Sequence, residues 1–238
     1  MTPPTPHRVA AVLLDIEGTT TSIDFVYDTL FPYARAHLRG FLARRFDDPE
    51  VRAALAFFPA AAGASPEAAA DHALALMDGD VKDTGLKALQ GLVWREGYAA
   101  GDLRGHVYDD VPGALRAFRD DGVPVHIYSS GSVEAQILLF RHAVAGDLTP
   151  LLAGHFDTTT GPKKEPASYA AIAARIGVEP GAIAFLTDSF EEARAADAAG
   201  VRAVLSVRPG NPALPAAASA LPAVTSLAGL RDALRGDV

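Results

Sequence analysis

Asp15 and Glu17 stand two residues apart where an apolar run, Val9–Leu14, gives way to Gly18-Thr19. In an extended chain positions i and i+2 point the same way, so both carboxylates can converge on one ligand at the end of a strand. Paired hard oxygen donors suit Mg²⁺ and a phosphoryl group. One carboxylate can attack phosphorus while the other handles the leaving-group proton. The plainer reading is a strand followed by a solvated acidic turn, and on this segment alone the two readings stand about even.

Three further segments bear on the choice. Tyr128-Ser129-Ser130-Gly131-Ser132 lies between an apolar run and a helical pattern starting near Val133. Hydroxyls and free N–H groups at a helix N-terminus cradle phosphate. Ser132 can be explained by capping alone, whereas Ser129 and Ser130 exceed what a cap requires. Gly161-Pro162-Lys163-Lys164-Glu165 offers an ammonium to offset phosphoryl charge, against the ordinary reading of a solvated lysine pair. Phe185-Leu186-Thr187-Asp188-Ser189 ends another apolar run in Asp188. That residue is either an N-cap paired with Glu191 or a second carboxylate for Mg²⁺. Each segment has a plain structural reading when taken singly. Their order along the chain and their strand-end positions point instead to phosphoryl transfer. Asp15 attacks phosphorus; Mg²⁺, Lys163 and the serine donors spread over the phosphoryl oxygens; Glu17 protonates the leaving oxygen and then activates water.

These residues need a scaffold of parallel strands. Val9–Leu14, Pro124–Tyr128, Ala182–Thr187 and Arg202–Val207 read as buried strands, with His155–Asp157 a weaker candidate. Helical patterns at Pro112–Asp121, Ser132–Val144, Ala167–Ile176 and Phe190–Ala199 alternate with them. Alternation of this kind predicts an α/β fold with about five parallel strands, whose ligands gather at the C-terminal strand ends. About a hundred residues separate the first two strands, far more than a crossover needs. Apolar stripes over Tyr27–Leu42 and Thr84–Ala99 make that stretch helical. The expected organisation is a core of residues 1–19 and 111–238 with a helical cap inserted at 20–110. Arg208–Ala223, rich in Pro and Ala, reads as an irregular surface excursion.

The bulk numbers narrow the function. The chain has 238 residues, a formal net charge of −8 and no cysteine. The charge gives no basic footprint for nucleic acid and disfavours an anionic membrane surface. Thiolate metal sites, cysteine nucleophiles and disulfides are excluded. Met1–Arg8 is Pro/Thr-rich and the six-residue run after it is too short for a signal or a span. A cytoplasmic protein is expected.

The set of motifs resembles the haloacid dehalogenase-like phosphohydrolases, whose first motif is Asp-x-Asp-Gly-Thr. Glu17 in place of the second Asp narrows the match. Asp15-Ile16-Glu17-Gly18-Thr19-Thr20-Thr21 is similar to the enolase-phosphatase E1 (acireductone synthase) branch. So are Leu86–Gly91, Trp94–Tyr98, His106–Pro112, Ile127–Gln136 and Arg208–Asn211, which extends the resemblance over nearly the whole chain.

The resemblance implies a Rossmann-like core with an inserted cap and a place in methionine salvage. The implied substrate is a small phosphorylated diketone, 2,3-diketo-5-methylthiopentyl-1-phosphate, which is enolised and then dephosphorylated to 1,2-dihydroxy-3-keto-5-methylthiopentene. It implies Mg²⁺ as cofactor. Asp15 matches the nucleophile and a metal ligand, Glu17 the acid/base and a metal contact made in the wider superfamily through its backbone carbonyl, and Asp188 the remaining metal carboxylate. Ser129 and Ser130 match the substrate-binding pair. Lys163 matches the third-motif lysine, with Lys164 leaving that register open by one residue. Glu17 is the candidate enolisation base. Trp94, Tyr98 and Phe25 are candidates for the methylthio pocket, although their helical spacing favours plain cap core over that role. A monomer is expected. The competing readings are a phosphatase for another small ester and a phospho-acceptor module, the latter disfavoured by an acceptor on the first strand beside a long insertion.

Overall fold

A computed structural model describes residues 9–235; Met1–Arg8 and the last three residues of the expected core lie outside them. The order of elements begins with β1 (Ala11–Leu14), followed by α1 (Phe31–Arg45), α2 (Pro49–Leu55), α3 (Pro66–Asp78) and α4 (Thr84–Ala100). Then come α5 (Val111–Asp120), β2 (Val125–Tyr128), α6 (Val133–Arg141), β3 (Gly154–Phe156), α7 (Pro166–Ile176), β4 (Ile183–Thr187) and α8 (Phe190–Ala198). β5 (Arg202–Ser206), β6 (Ala223–Val224) and α9 (Leu227–Arg235) close the described chain.

Contacts divide the described residues into two compact units, one drawn from 9–23 and 105–235, the other Asp24–Arg104. The cut lies a few residues inside the insertion drawn from sequence, for a local reason. Thr19, Thr20 and Thr21 are buried, and the Tyr108 N–H donates to the Thr20 carbonyl at 3.0 Å. Both strands of the connection thus remain with the sheet.

The first unit holds one six-stranded sheet in the order β3-β2-β1-β4-β5-β6, and every pairing is parallel. The sixth strand and α9 are additions to the sequence reading. β6 has only two residues, too few for a periodic signal. β1 is central and all four of its residues are buried, as strands covered on both faces must be. Its neighbours are β2, with Leu14 opposite Ile127, and β4, with Leu14 opposite Leu186. From β1 the chain proceeds to β2 on one side; from β4 it proceeds to β5 on the other. Adjacent strands whose connections leave in opposite directions open a crevice at their carboxyl ends. Asp15 follows β1 and Asp188 follows β4, so both stand at that crevice. Beneath it, Leu13, Tyr128, Tyr169, Ile172, Phe185 and Leu205 belong to one apolar cluster.

The second unit is helical. Leu30, Ala34, Leu38, Phe41 and Leu42 are buried, the stripe expected of an amphipathic helix. The stripe is not one continuous α-helix. Phe25–Leu30 forms a π-helical turn, and the Phe31 N–H donates to the Val26 carbonyl, five residues back. Pro32 has no N–H to donate, so the bonding register changes at this point. α4 supplies Leu86, Leu89 and Val93 to the same cluster. Trp94 packs against that cluster and its indole N–H donates to the Leu30 carbonyl at 2.8 Å.

Candidate active site

Asp15 is buried directly after β1. Its Oδ1 accepts from the Ile16 N–H at 2.8 Å and meets the Lys163 ammonium at 2.6 Å. Its Oδ2 accepts from the Thr187 hydroxyl at 3.0 Å. The chain then turns sharply: the N–H groups of Thr19, Thr20 and Thr21 all donate to the Ile16 carbonyl, at 3.2, 2.9 and 2.9 Å. Gly18 adopts φ +63°, a left-handed conformation open to glycine. A Cβ here would meet the Asp188 Cγ at 2.7 Å and the Asn211 Oδ1 at 2.8 Å. The glycine of the Gly-Thr signature is therefore a steric requirement of the site. Glu17 is half-buried in this turn, and its charge contributes to raising the pKa of Asp188.

The lysine register is decided by three hydroxyls. Tyr128 donates to the Gly161 carbonyl at 2.8 Å, Ser168 to the Pro162 carbonyl at 2.7 Å and Tyr169 to the Lys163 carbonyl at 2.6 Å. Pinned in this way, Lys163 turns inward and is buried, while Lys164 is exposed. The Lys163 ammonium lies 5.7 Å from the Tyr128 ring centroid and contacts two carboxylates, Asp15 and Glu192, each at 2.6 Å. Burial by itself lowers the pKa of Lys163, but the two carboxylates outweigh it and raise the value. Lys163 is held as a cation.

Ser129 follows β2, beside Asp15 on the adjacent strand end. It is buried, its N–H donates to the Phe156 carbonyl at 3.2 Å and its Oγ accepts from the Gly131 N–H at 3.2 Å. Ser130 is exposed. Ser132 is the N-cap of α6, accepting from the Ala135 N–H at 3.2 Å. Asp188 does not cap α8. The N-cap is Ser189, with no side-chain capping bond, and Glu191 pairs with exposed Arg194. Freed from capping, Asp188 stands over Gly18 with its pKa pushed up to about 7, by burial first and then by the Asp15 charge, with Lys163 opposing.

Glu192 belongs to the site and was not singled out from sequence. Its Oε2 lies 3.0 Å from the Thr187 hydroxyl, whose single proton it shares with Asp15, and meets Lys163. Burial, then the Asp15 charge, raises its pKa. The signal was an off-by-one: with Ser189 as N-cap, the acid three residues on is Glu192, not Glu191.

The loop of Gly18 is held from behind. The Ser206 hydroxyl and the Asn211 Nδ2 donate to the Gly18 carbonyl at 3.0 and 2.9 Å. The Arg208 Nε donates to the Thr19 carbonyl at 3.1 Å. Its guanidinium also forms a bidentate pair with Asp110 at 2.9 and 3.0 Å and lies 4.5 Å from the Tyr108 ring centroid. Arg208 is buried, so the excursion read from Pro and Ala content begins with a structural clamp.

Comparison with known proteins matches this architecture. A family model described as haloacid dehalogenase-like hydrolase matches residues 9–200. The enolase-phosphatase E1 of Sorangium cellulosum is 51% identical over 206 residues, covering 84% of this chain and 89% of its own. That of Synechococcus elongatus is 47% identical over 220 residues, covering 87% and 92%. This chain belongs to the haloacid dehalogenase-like hydrolases and, among them, to the enolase-phosphatase E1 family. A crystal structure of the UTR4 protein of Saccharomyces cerevisiae shares the fold, with a TM-score of 0.78 and 35% identity over 92% of this chain and 98% of that one.

Phosphatases of this superfamily are generally dependent on a divalent metal, and the residues here fit one. Asp15 and Asp188 bring hard carboxylate oxygens to one crevice, and their mutual repulsion favours a cation between them. Among the described residues no group of three or more acidic or histidine side chains is arranged to hold a metal ion.

Proposed function

We propose that this protein is a Mg²⁺-dependent enolase-phosphatase of methionine salvage. It would convert 2,3-diketo-5-methylthiopentyl-1-phosphate and water to 1,2-dihydroxy-3-keto-5-methylthiopentene and phosphate. The observation that carries the reading is Asp15: a buried carboxylate at the switch point, oriented by Thr187 and paired with Lys163, in a chain about half identical to enolase-phosphatases.

In the first half-reaction Glu17 removes a proton from the substrate C1 carbon, the electron pair of the C–H bond forms the C1–C2 double bond, and the C2 oxygen takes a proton from solvent to give the enol. The adjacent carbonyl acidifies that proton, so a modest base suffices when well placed. In the second, an Asp15 oxygen attacks phosphorus, the bond from phosphorus to the C1 oxygen breaks, and Glu17 gives that oxygen a proton. Glu17 then takes a proton from water, which attacks the aspartyl-phosphate and releases phosphate. Lys163 and the Ser129 and Ser130 groups bind the phosphoryl oxygens. Asp15, Asp188 and the Glu17 carbonyl would hold Mg²⁺, which when bound would supply positive charge against the phosphoryl group.

The inserted helical unit is the candidate cap domain, and Phe25, Trp94 and Tyr98 within it are candidates for the methylthio tail. The protein acts in the cytoplasm as a monomer, without nucleic acid or membrane partners. The net charge of −8 supports the latter two assignments, and no described helix is long and apolar enough to cross a membrane. Proton NMR of the purified protein with the diketo phosphate is the test. The expected result is loss of the C1 protons to solvent deuterium followed by acireductone signals and free phosphate. Phosphate release from other small esters with the diketo phosphate untouched would reject the reading.

A further inference from the structure

We propose that Asn211 is a positioning residue for the divalent cation, its Oδ1 accepting a hydrogen bond from a water that the cation carries. The inference rests on the proposed placement of a cation at Asp15 and Asp188 and adds a residue from a loop that sequence reading left without a role.

The orientation of the Asn211 amide is fixed by its surroundings. Its Nδ2 donates to two backbone carbonyls, Gly18 at 2.9 Å and Ser206 at 3.3 Å. A flipped amide would set Oδ1 against both carbonyl oxygens, so the assignment of nitrogen and oxygen follows from the partners. Oδ1 must then face the other way. It is buried and has no hydrogen-bond partner in the protein. A buried acceptor left unpaired costs about 1–3 kcal/mol, and such atoms in native structures point to an unseen water or ion.

What Oδ1 faces is the crevice. A Cβ built on Gly18 would touch both the Asp188 carboxylate and Asn211 Oδ1. The two side chains therefore converge over the one residue whose missing Cβ leaves that face clear. Two acceptors meeting there need a donor between them. Water bound to a divalent cation is an unusually strong donor, because the cation raises its acidity. An amide is the suitable acceptor: a third carboxylate beside Asp15 and Asp188 would add repulsion, and it could not also donate to the Gly18 carbonyl. One side chain thus anchors the turn that follows the nucleophile and orients the cation's outer shell.

Calorimetric titration with MgCl₂ of the wild type, Asn211→Leu and Ser206→Ala tests this. Leu keeps the shape and removes both polar atoms. Ala at 206 removes only one of the two donors to the Gly18 carbonyl, leaving Oδ1 in place. Asn211→Leu is expected to weaken Mg²⁺ binding roughly 10–100-fold, as loss of an outer-shell partner does, with Ser206→Ala at wild-type affinity. Wild-type affinity in Asn211→Leu, or equal weakening in both variants, overturns the proposal, the latter because Asn211 would then act only through the turn. Should Asn211→Leu not fold, a crystal structure of the wild type with Mg²⁺ decides. A water on the ion within hydrogen-bond distance of Oδ1 supports the proposal, and its absence overturns it. Failure of the wild type to bind Mg²⁺ at all would overturn both this and the proposed metal site, whereas wild-type affinity in Asn211→Leu overturns this alone.

Discussion

Lys163→Met removes the cation from between two buried carboxylates while nearly preserving volume. Each ion contact is 2.6 Å long, so at an effective dielectric of about 20 each contributes about 6 kcal/mol of gross attraction. Desolvation of three ionised groups offsets most of that gain, at several kcal/mol per ion. The variant recovers the lysine's share of desolvation but strands Asp15 and Glu192 beside each other. Breaking a buried pair in this way costs about 3–5 kcal/mol, a large part of the roughly 5–15 kcal/mol that holds a domain folded. Urea unfolding near neutral pH in EDTA should show that loss as a lower midpoint at unchanged slope. Lys163→Met/Glu192→Gln should be more stable than Lys163→Met, because one of the stranded charges is gone. Phosphate release should fall by roughly 10²–10³, the loss typical of one charge-stabilising donor. A Lys163→Met protein within about 1 kcal/mol of wild type, with no gain from Glu192→Gln, would refute the electrostatic argument.

Asp15→Asn should abolish phosphate release with the fold intact, since the amide cannot attack phosphorus; residual solvent-deuterium exchange at the substrate C1 carbon, read by NMR, would separate the two half-reactions. Glu17→Gln should impair both, and full exchange without phosphate release would remove Glu17 from the enolisation step. Arg208→Met should destabilise the core by about 3–5 kcal/mol by stranding Asp110, and Arg208→Lys should recover only part because an ammonium cannot reproduce the fork; full recovery by lysine in urea unfolding would contradict this. The pKa of His106 is lowered, by burial first, with Asp109 opposing, and its Nδ1 accepts from the Ser22 N–H at 3.3 Å. Below its unfolded value, about 6.5, the unfolded chain binds the proton more readily, so stability should decline on acidification by at most about 1.4 kcal/mol per pH unit for this group and level off below the folded pKa. His106→Asn should flatten that decline in unfolding curves taken across the range.

The sequence by itself determined the central strands of the sheet and the placing of most polar groups at their ends. Four apolar runs could be buried only as strands, and a parallel sheet gathers the residues just past its strand ends along one edge. Asp15, Ser129 and Asp188 were therefore legible from their positions after Leu14, Tyr128 and Thr187. Tertiary structure decided what depends on partners distant in the chain. Lys163 and Lys164 are alike in sequence, and only the hydroxyls of Tyr128, Ser168 and Tyr169 turn the first inward. Glu192 looks like any acid in the first turn of a helix until Lys163 closes on it. Arg208 and Asn211 sit at the head of a Pro/Ala-rich stretch that composition marks as surface. Their partners, Thr19 and Gly18, are 189 and 193 residues away. Local pattern reports which face of an element is apolar; it carries no information about a hydrogen bond whose two ends meet only when the sheet has formed.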